Sequence, residues 1–136
     1  MIIFKYRQEK TPKGIVFRPV ALIEFESLAH GFIPAELYID SGADVTLIPQ
    51  SFGELLGFKL KHGEKAEQVG GIGGKIPIVY RNVRIRIQNN VFKITAAWAT
   101  TEQVPPLLGR KDIFDLYHVT FKQNLQIVIF EAVGKK

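Results

Sequence analysis

The stretch "LYIDSGADVTLIP", residues 37–49, carries the chain's first aspartate, Asp40, directly after an apolar run and directly before Ser41 and Gly42. A carboxylate at the end of a buried strand is costly to keep charged unless something compensates it, so the position calls for a structural or a chemical reason. Ser41 offers a hydroxyl and Gly42 can take a positive φ, which lets the backbone turn back and present the carboxylate outward from the strand end. The chemistry open to a carboxylate so placed is general acid and base work on a water or a scissile bond. The same three residues also describe an ordinary Asx turn capping a strand, and both readings stand on these residues alone.

Two further stretches could meet a ligand. In "VGGIGGKIPIV", residues 69–79, glycines surround Ile72. A Walker-type phosphate loop would need Gly in place of Val69 and a hydroxyl in place of Ile76. A dinucleotide fingerprint starting at Gly71 would need Gly in place of Ile76. With strand-like residues on both sides, the glycines describe a hairpin tip whose backbone can approach a ligand closely. In "PPLLGRKDIF", residues 105–114, Leu107 and Leu108 run into Gly109 and Arg110. An arginine there invites a carboxylate, and a partly buried bidentate pair with Asp44 would brace the loop that carries Asp40; the plainer alternative is an exposed arginine at a helix end.

Other chemistries find little support. The chain has no cysteine, which excludes disulfides, thiolate metal sites and cysteine nucleophiles. His30, His62 and His118 show no metal-ligand spacing, so no metal or other cofactor is expected. No G-x-S-x-G elbow accompanies Ser41 or Ser51. The net charge of +5 is spread through "KYRQEKTPK", "KLKHGEK" and "RNVRIR" with glutamates among the basic residues, the pattern of a solvated surface rather than of a nucleic-acid interface. The N-terminus lacks the apolar core of a signal peptide, and no apolar run approaches the ~20 residues of a membrane span, so a cytoplasmic protein with no membrane partner is expected.

The elements that must position these residues are mostly strands. Short apolar runs recur between turn residues: "IIFKY", "GIVFRPVALIEFE", "AELYID", "VRIRIQ", "FKITAAWA", "HVTFK" and "LQIVIFE". "VRIRIQ" alternates with period two, and "QNNVF" reads as a tight turn into the next strand. Two stretches predict short helices: "PQSFGELLG", opened by Pro49 and stopped by Gly57, and "GRKDIFDLY", where Ile113, Phe114 and Leu116 share a face. Trp98 reads as core. With 46% hydrophobic residues, no linker and no repeat, the 136 residues predict one all-β domain, closed or sandwiched. The last hairpin, residues 117–131, is expected at the base of the molecule.

The three stretches, in this order and at this spacing, resemble the retropepsin-like aspartic proteases, the single-domain relatives of pepsin found in retroviruses, retrotransposons and some prokaryotes. The resemblance spans about Val16 to Phe130, with the hairpin of residues 1–15 added in front, and it implies a closed β-barrel of the acid protease fold with one or two short helices across a single domain, 1–136. It implies that Asp40 of the D-[ST]-G-A element is catalytic, with Ser41, Gly42 and Ala43 forming its loop. It implies that Asp44 and Arg110 support that loop, although Lys111 stands before Asp112 where the family's G-R-[ND] element has no insertion. Gly71, Ile72 and Gly73, with Gly74 beside them, match the flap that closes over substrate.

Hydrolysis of a peptide bond by this route needs two carboxylates sharing one proton, one as base on a water and one as acid on the carbonyl. The remaining aspartates sit in "DVT", "DIF" and "DLY", so no second D-[ST]-G occurs and the other carboxylate has to come from a second copy of the chain. The expectation is therefore a homodimeric aspartic endopeptidase acting on peptide or protein substrates at mildly acidic pH. A cleft lined by Leu37, Ile39, Ile48, Ile72, Ile76 and Ile78 would favour extended apolar peptides. The competing reading is a catalytically silent dimeric module that keeps the fold for peptide binding.

Overall fold

Alternating apolar and polar residues turn into strands along most of the chain. The computed structural model describes residues 1–71 and 74–134. Its elements are β1 (Ile2–Lys5), β2 (Arg7–Thr11), β3 (Gly14–Arg18), β4 (Val20–Ser27), β5 (Gly31–Ile39), β6 (Thr46–Ile48), the helix α1 (Gln50–Leu56), β7 (Glu67–Gly71), β8 (Gly74–Ile87), β9 (Asn90–Ala99), β10 (Leu107–Leu108), β11 (Tyr117–Lys122) and β12 (Ile127–Ala132), with a short 3-10 turn at Gln123–Leu125.

Six strands close a barrel in the order β4, β5, β10, β6, β9, β8, and β8 returns to β4 through Glu24 opposite Arg86 and Phe25 opposite Ile85. The sheet is mixed, because β5 with β10 and β6 with β9 run parallel while the other pairs are antiparallel. The alternation in "VRIRIQ" is realised residue by residue. Val83, Ile85 and Ile87 are buried, whereas Arg84 and Arg86 point outward and pair with Glu26 and Glu24 of β4. β8 turns into β9 through Gln88 and Asn89, with Gln88 at φ 53°, the left-handed conformation a two-residue hairpin turn demands.

The interior is filled by Ile23, Phe25, Leu37, Ile48, Ile85, Ile94 and Leu108. Burying each of these is worth about 1.5–3 kcal/mol, which sets the barrel as the stable frame. A three-stranded sheet, β1–β12–β11, packs on the barrel through Tyr117, whose ring lies 6.3 Å from that of Phe92 and whose hydroxyl accepts from Asn90 Nδ2 of β9 at 2.9 Å; within the sheet the Phe4 and Phe130 rings meet edge to face at 5.2 Å. The hairpin β2–β3 forms a separate two-stranded ribbon. Among the described residues, no helix is long and apolar enough to cross a membrane.

The first expected helix forms. Pro49 is its N-cap rather than its first helical residue, and Gly57 ends it at φ 97°. Buried Trp98 anchors it, donating from Nε1 to the Gln50 carbonyl at 3.1 Å. The second expected helix does not form. Residues 110–117 make consecutive turns, with Phe114 N–H donating to the Arg110 carbonyl, but Asp112 takes φ 68° and cannot propagate a right-handed helix. In that conformation its carboxylate accepts the Thr95 N–H of β9 at 2.8 Å, a bond that ties the turn to the barrel.

Candidate active site

β5 is buried along Leu37 and Ile39 and delivers Asp40 at the point where its parallel neighbour β10 ends. The Asp40 N–H donates to the Leu108 carbonyl at 3.0 Å, so the aspartate backbone still belongs to the barrel while its side chain lies beyond it. Its carboxylate Oδ1 accepts the Gly42 N–H at 2.9 Å, and its carbonyl accepts the Ala43 N–H at 3.1 Å. The Asx turn and the presentation of the carboxylate are thus one geometry. Gly42 does not adopt the positive φ anticipated for it; a side chain there would instead place its Cβ 3.3 Å from Asp40 Oδ1, so the glycine keeps the carboxylate's flank open.

The loop is stitched to the segment after β10 mainly through the backbone. Arg110 N–H donates to the Ala43 carbonyl at 3.0 Å, Lys111 N–H to the Asp44 carbonyl at 2.9 Å, and Gly109 N–H to the hydroxyl of fully buried Thr46 at 3.1 Å. Gly109 lies so close to this loop that a Cβ would fall 2.4 Å from the Val45 carbonyl carbon. Lys111, which interrupts the family element, takes part in this stitching. Gly109 stands in the G-R-[ND] element, whereas Thr46 belongs to no motif; a threonine between apolar Val45 and Leu47 on a buried strand is the signal the sequence offers for it.

Arg110 and Asp44 do meet, through Nη2 and Oδ1. The expected burial and bidentate geometry are not found: the contact is a single one, with the two side chains 53% and 83% exposed. A long arginine at a turn on the surface reaches the aspartate from solvent, where water screens the pair.

Above Asp40 lies a cleft of about 620 Å³. Asp40, Gly42, Ala43 and Asp44 occupy one side, and Val69, Gly70, Ile76 and Ile78 of the β7–β8 hairpin occupy the other. A small apolar cluster of Leu47, Ile78, Ala97 and Val104, with Val45, Val69, Ile76 and Leu107 against it, gives the cleft its greasy walls. Ile76 and Ile78 therefore line it as expected. Leu37, Ile39 and Ile48 do not; they are at most 5% exposed and belong to the barrel core, and of the three Ile39 borders a neighbouring concavity on another side of Asp40. In the glycine-rich hairpin, Gly71 ends β7 opposite Gly74, which opens β8 at φ 120°. Ile72 and Gly73 lie outside the described residues.

On another side of Asp40 stands a charged cluster. Tyr38 donates its hydroxyl to Glu9 Oε2 at 2.6 Å, and Arg7 Nη2 reaches both that oxygen, at 2.7 Å, and the Tyr38 hydroxyl, at 2.8 Å. The Tyr38 and Arg7 hydrogen bonds hold the Glu9 carboxyl below its ordinary range, and the bond to Glu9 pushes the Tyr38 hydroxyl up. No group of acidic, histidine or cysteine side chains suited to a metal occurs among the described residues.

A closed mixed barrel, an aspartate turn at the end of a barrel strand and a hairpin across the cleft define the retropepsin-like class of fold. A retropepsin-like aspartic protease from Rickettsia conorii is similar over 93% of this chain and 95% of its own, with a TM-score of 0.64 at 15% identity. The EIAV protease in complex with the inhibitor HBY-793 is similar over 73% of this chain and 88% of its own, with a TM-score of 0.58 at 21% identity. At such identities these likenesses speak to the fold. The Aspartyl protease family matches residues 29–111, more than half of the chain and all of the stretch from Asp40 to Arg110, and the chain belongs to that family. No curated protein matches it.

Proposed function

We propose that the chain is an aspartic endopeptidase that works as a homodimer, each copy supplying one Asp40. The observation that carries this reading is the Asp40 carboxylate, held by the Gly42 N–H at the edge of an apolar cleft of about 620 Å³, with no second D-[ST]-G in the sequence to complete a pair. Two like charges a few ångströms apart cannot both ionise, so the paired carboxyls hold one proton between them. The ionised member takes a proton from water, and the protonated member gives its own to the carbonyl oxygen of the scissile bond. Water oxygen bonds to the carbonyl carbon; the carboxyl that took the water proton then passes it to the amide nitrogen as the C–N bond breaks, while a hydroxyl of the tetrahedral species returns its proton to the other carboxylate and the carbonyl re-forms.

The remaining residues take supporting roles in the proposal. Ser41, exposed beside Asp40, joins the loops of the two copies across the interface. Ala43, Asp44 and Arg110 keep the loop in place, and Gly71, Ile72, Gly73 and Gly74 close over an extended peptide whose apolar side chains settle against Val45, Leu47, Ile76 and Ile78. Asp40→Asn tests the reading, because it retains size and hydrogen bonding while removing the ionisable proton. Hydrolysis of apolar peptides at mildly acidic pH should vanish, with fold and dimer intact. Peptides bound equally by wild type and variant, yet cut by neither, would make the chain a peptide-binding module instead.

A further inference from the structure

The ribbon β2–β3 makes no ladder with the barrel, and a two-stranded ribbon alone is marginal in water. Its attachment is the cluster on Tyr38, only two residues before Asp40: Glu9 accepts the Tyr38 hydroxyl, Arg7 lies 5.1 Å above the Tyr38 ring, and Arg7 also approaches Glu36 at 3.5 Å. Between the ribbon and the barrel is a second concavity, of about 470 Å³, lined by Glu9, Arg18, Tyr38, Asp40, Pro105 and Leu107. Asp40 and Leu107 border this space and the cleft under the β7–β8 hairpin alike. A peptide lying across Asp40 would therefore pass both.

Among the residues that line this space Arg18 is the one cation, and it shares the space with the carboxylates of Glu9 and Asp40. Glu9 Oε2 already accepts from Arg7 and Tyr38, and its Oε1 lies 2.9 Å from Arg18 Nε as an ion pair. Arg18 uses only that nitrogen; it is half exposed, and its two terminal nitrogens have no hydrogen-bond partner among the described residues. Pro105 and Leu107 beside it would contact methylene groups. An apolar stem ending in an anion answers both features, and a guanidinium fork is shaped to receive a carboxylate.

We propose that the β2–β3 ribbon builds a substrate subsite beside Asp40 and that Arg18 sets its selectivity, favouring a peptide that places a glutamate there. Arg7 and Glu9 are positioning residues that hold the ribbon on Tyr38. The inference rests on reading the Asp40 cleft as a peptide site. Peptide pairs identical except for Glu or Gln at each position flanking the cut test it, with cleavage measured on wild type and binding measured on Asp40→Asn protein so that the peptides survive. One position should prefer Glu by about two- to fivefold, the size of a contact to a half-exposed guanidinium. Adding Arg18→Gln should bring that ratio to about one, and Arg18→Lys, which keeps the charge but not the fork, should retain part of it. If no peptide is cut, the peptidase reading falls and the binding ratio still decides the role of Arg18. Equal binding of Glu and Gln peptides at every position, absence of any peptide binding, or a Glu preference that survives Arg18→Gln overturns the assignment.

Discussion

At the scale of single residues, the Asp40 loop is held by groups of very unequal worth. The exposed ion pair of Arg110 and Asp44 competes with water on all sides, so Arg110→Ala should lower stability by no more than about 1 kcal/mol. Thr46 is different: its buried hydroxyl accepts the Gly109 N–H, and Thr46→Val leaves that donor without a partner, at a cost of about 1–3 kcal/mol. Gly109→Ala forces a Cβ into backbone at 2.4 Å and should cost at least as much, since main chain cannot step aside as a side chain can. Urea unfolding of the three variants ranks them, and an Arg110→Ala loss as large as that of Thr46→Val would contradict this ordering. The residue types of the site were legible: Asp40, Asp44 and Arg110 stand where the motif puts them. Which of them matters for holding the loop was not, because exposure depends on how the turn after β10 lies against β6, and no spacing in the sequence encodes that.

At the scale of elements, the period-two runs became strands because each has one face to bury, and α1 formed between Pro49 and Gly57 as its end signals require. The turn at Asp112 shows the limit of such signals, since a long-range bond to Thr95 outweighs a helical pattern in "GRKDIFDLY". The segment leading into β7 is held in a comparable way. Arg81 donates to Glu64 at 2.8 Å and to the Lys59 carbonyl at 2.8 Å, while its guanidinium lies 5.7 Å from the Trp98 ring. The Arg81 hydrogen bonds pull the Glu64 carboxyl from its ordinary 4.5 down to about 2. A carboxyl depressed by folding stabilises the native state fully above its unfolded value and loses that contribution as pH falls toward its folded one. The stability difference between wild type and Glu64→Gln should therefore be level from neutral pH down to about 4.5 and shrink between there and about 2. Denaturant titrations at a series of pH values measure it, and a difference that instead grows on acidification would show that the pair does not form. The base of the β7–β8 hairpin thus keeps its anchor across the mildly acidic range in which the proposed dyad works.

At the scale of the whole molecule, barrel closure through β4 and β8 was foreshadowed only as a fold class, because the pairing of Phe25 with Ile85 joins strands 60 residues apart. The proposed dimer rests on counting: one D-[ST]-G in the sequence and a proposed mechanism that needs two carboxylates. Mixing experiments turn that count into a measurement. If each active site takes one Asp40 from each copy, wild type mixed with an equal amount of Asp40→Asn protein and allowed to exchange subunits leaves only about a quarter of the dimers with two aspartates, by random pairing in a two-fold assembly. Activity per wild-type chain should then fall to about half of its unmixed value, since total activity is about a quarter while wild-type chains are half of the mixture. A site complete within one chain predicts no change per wild-type chain. The same assay run at falling protein concentration should show specific activity dropping as dimers dissociate, in step with the sedimentation coefficient. A mixture whose activity per wild-type chain stays constant after exchange, with sedimentation confirming mixed dimers, would rule out a shared pair of Asp40 carboxylates and return the chemistry to groups within a single copy.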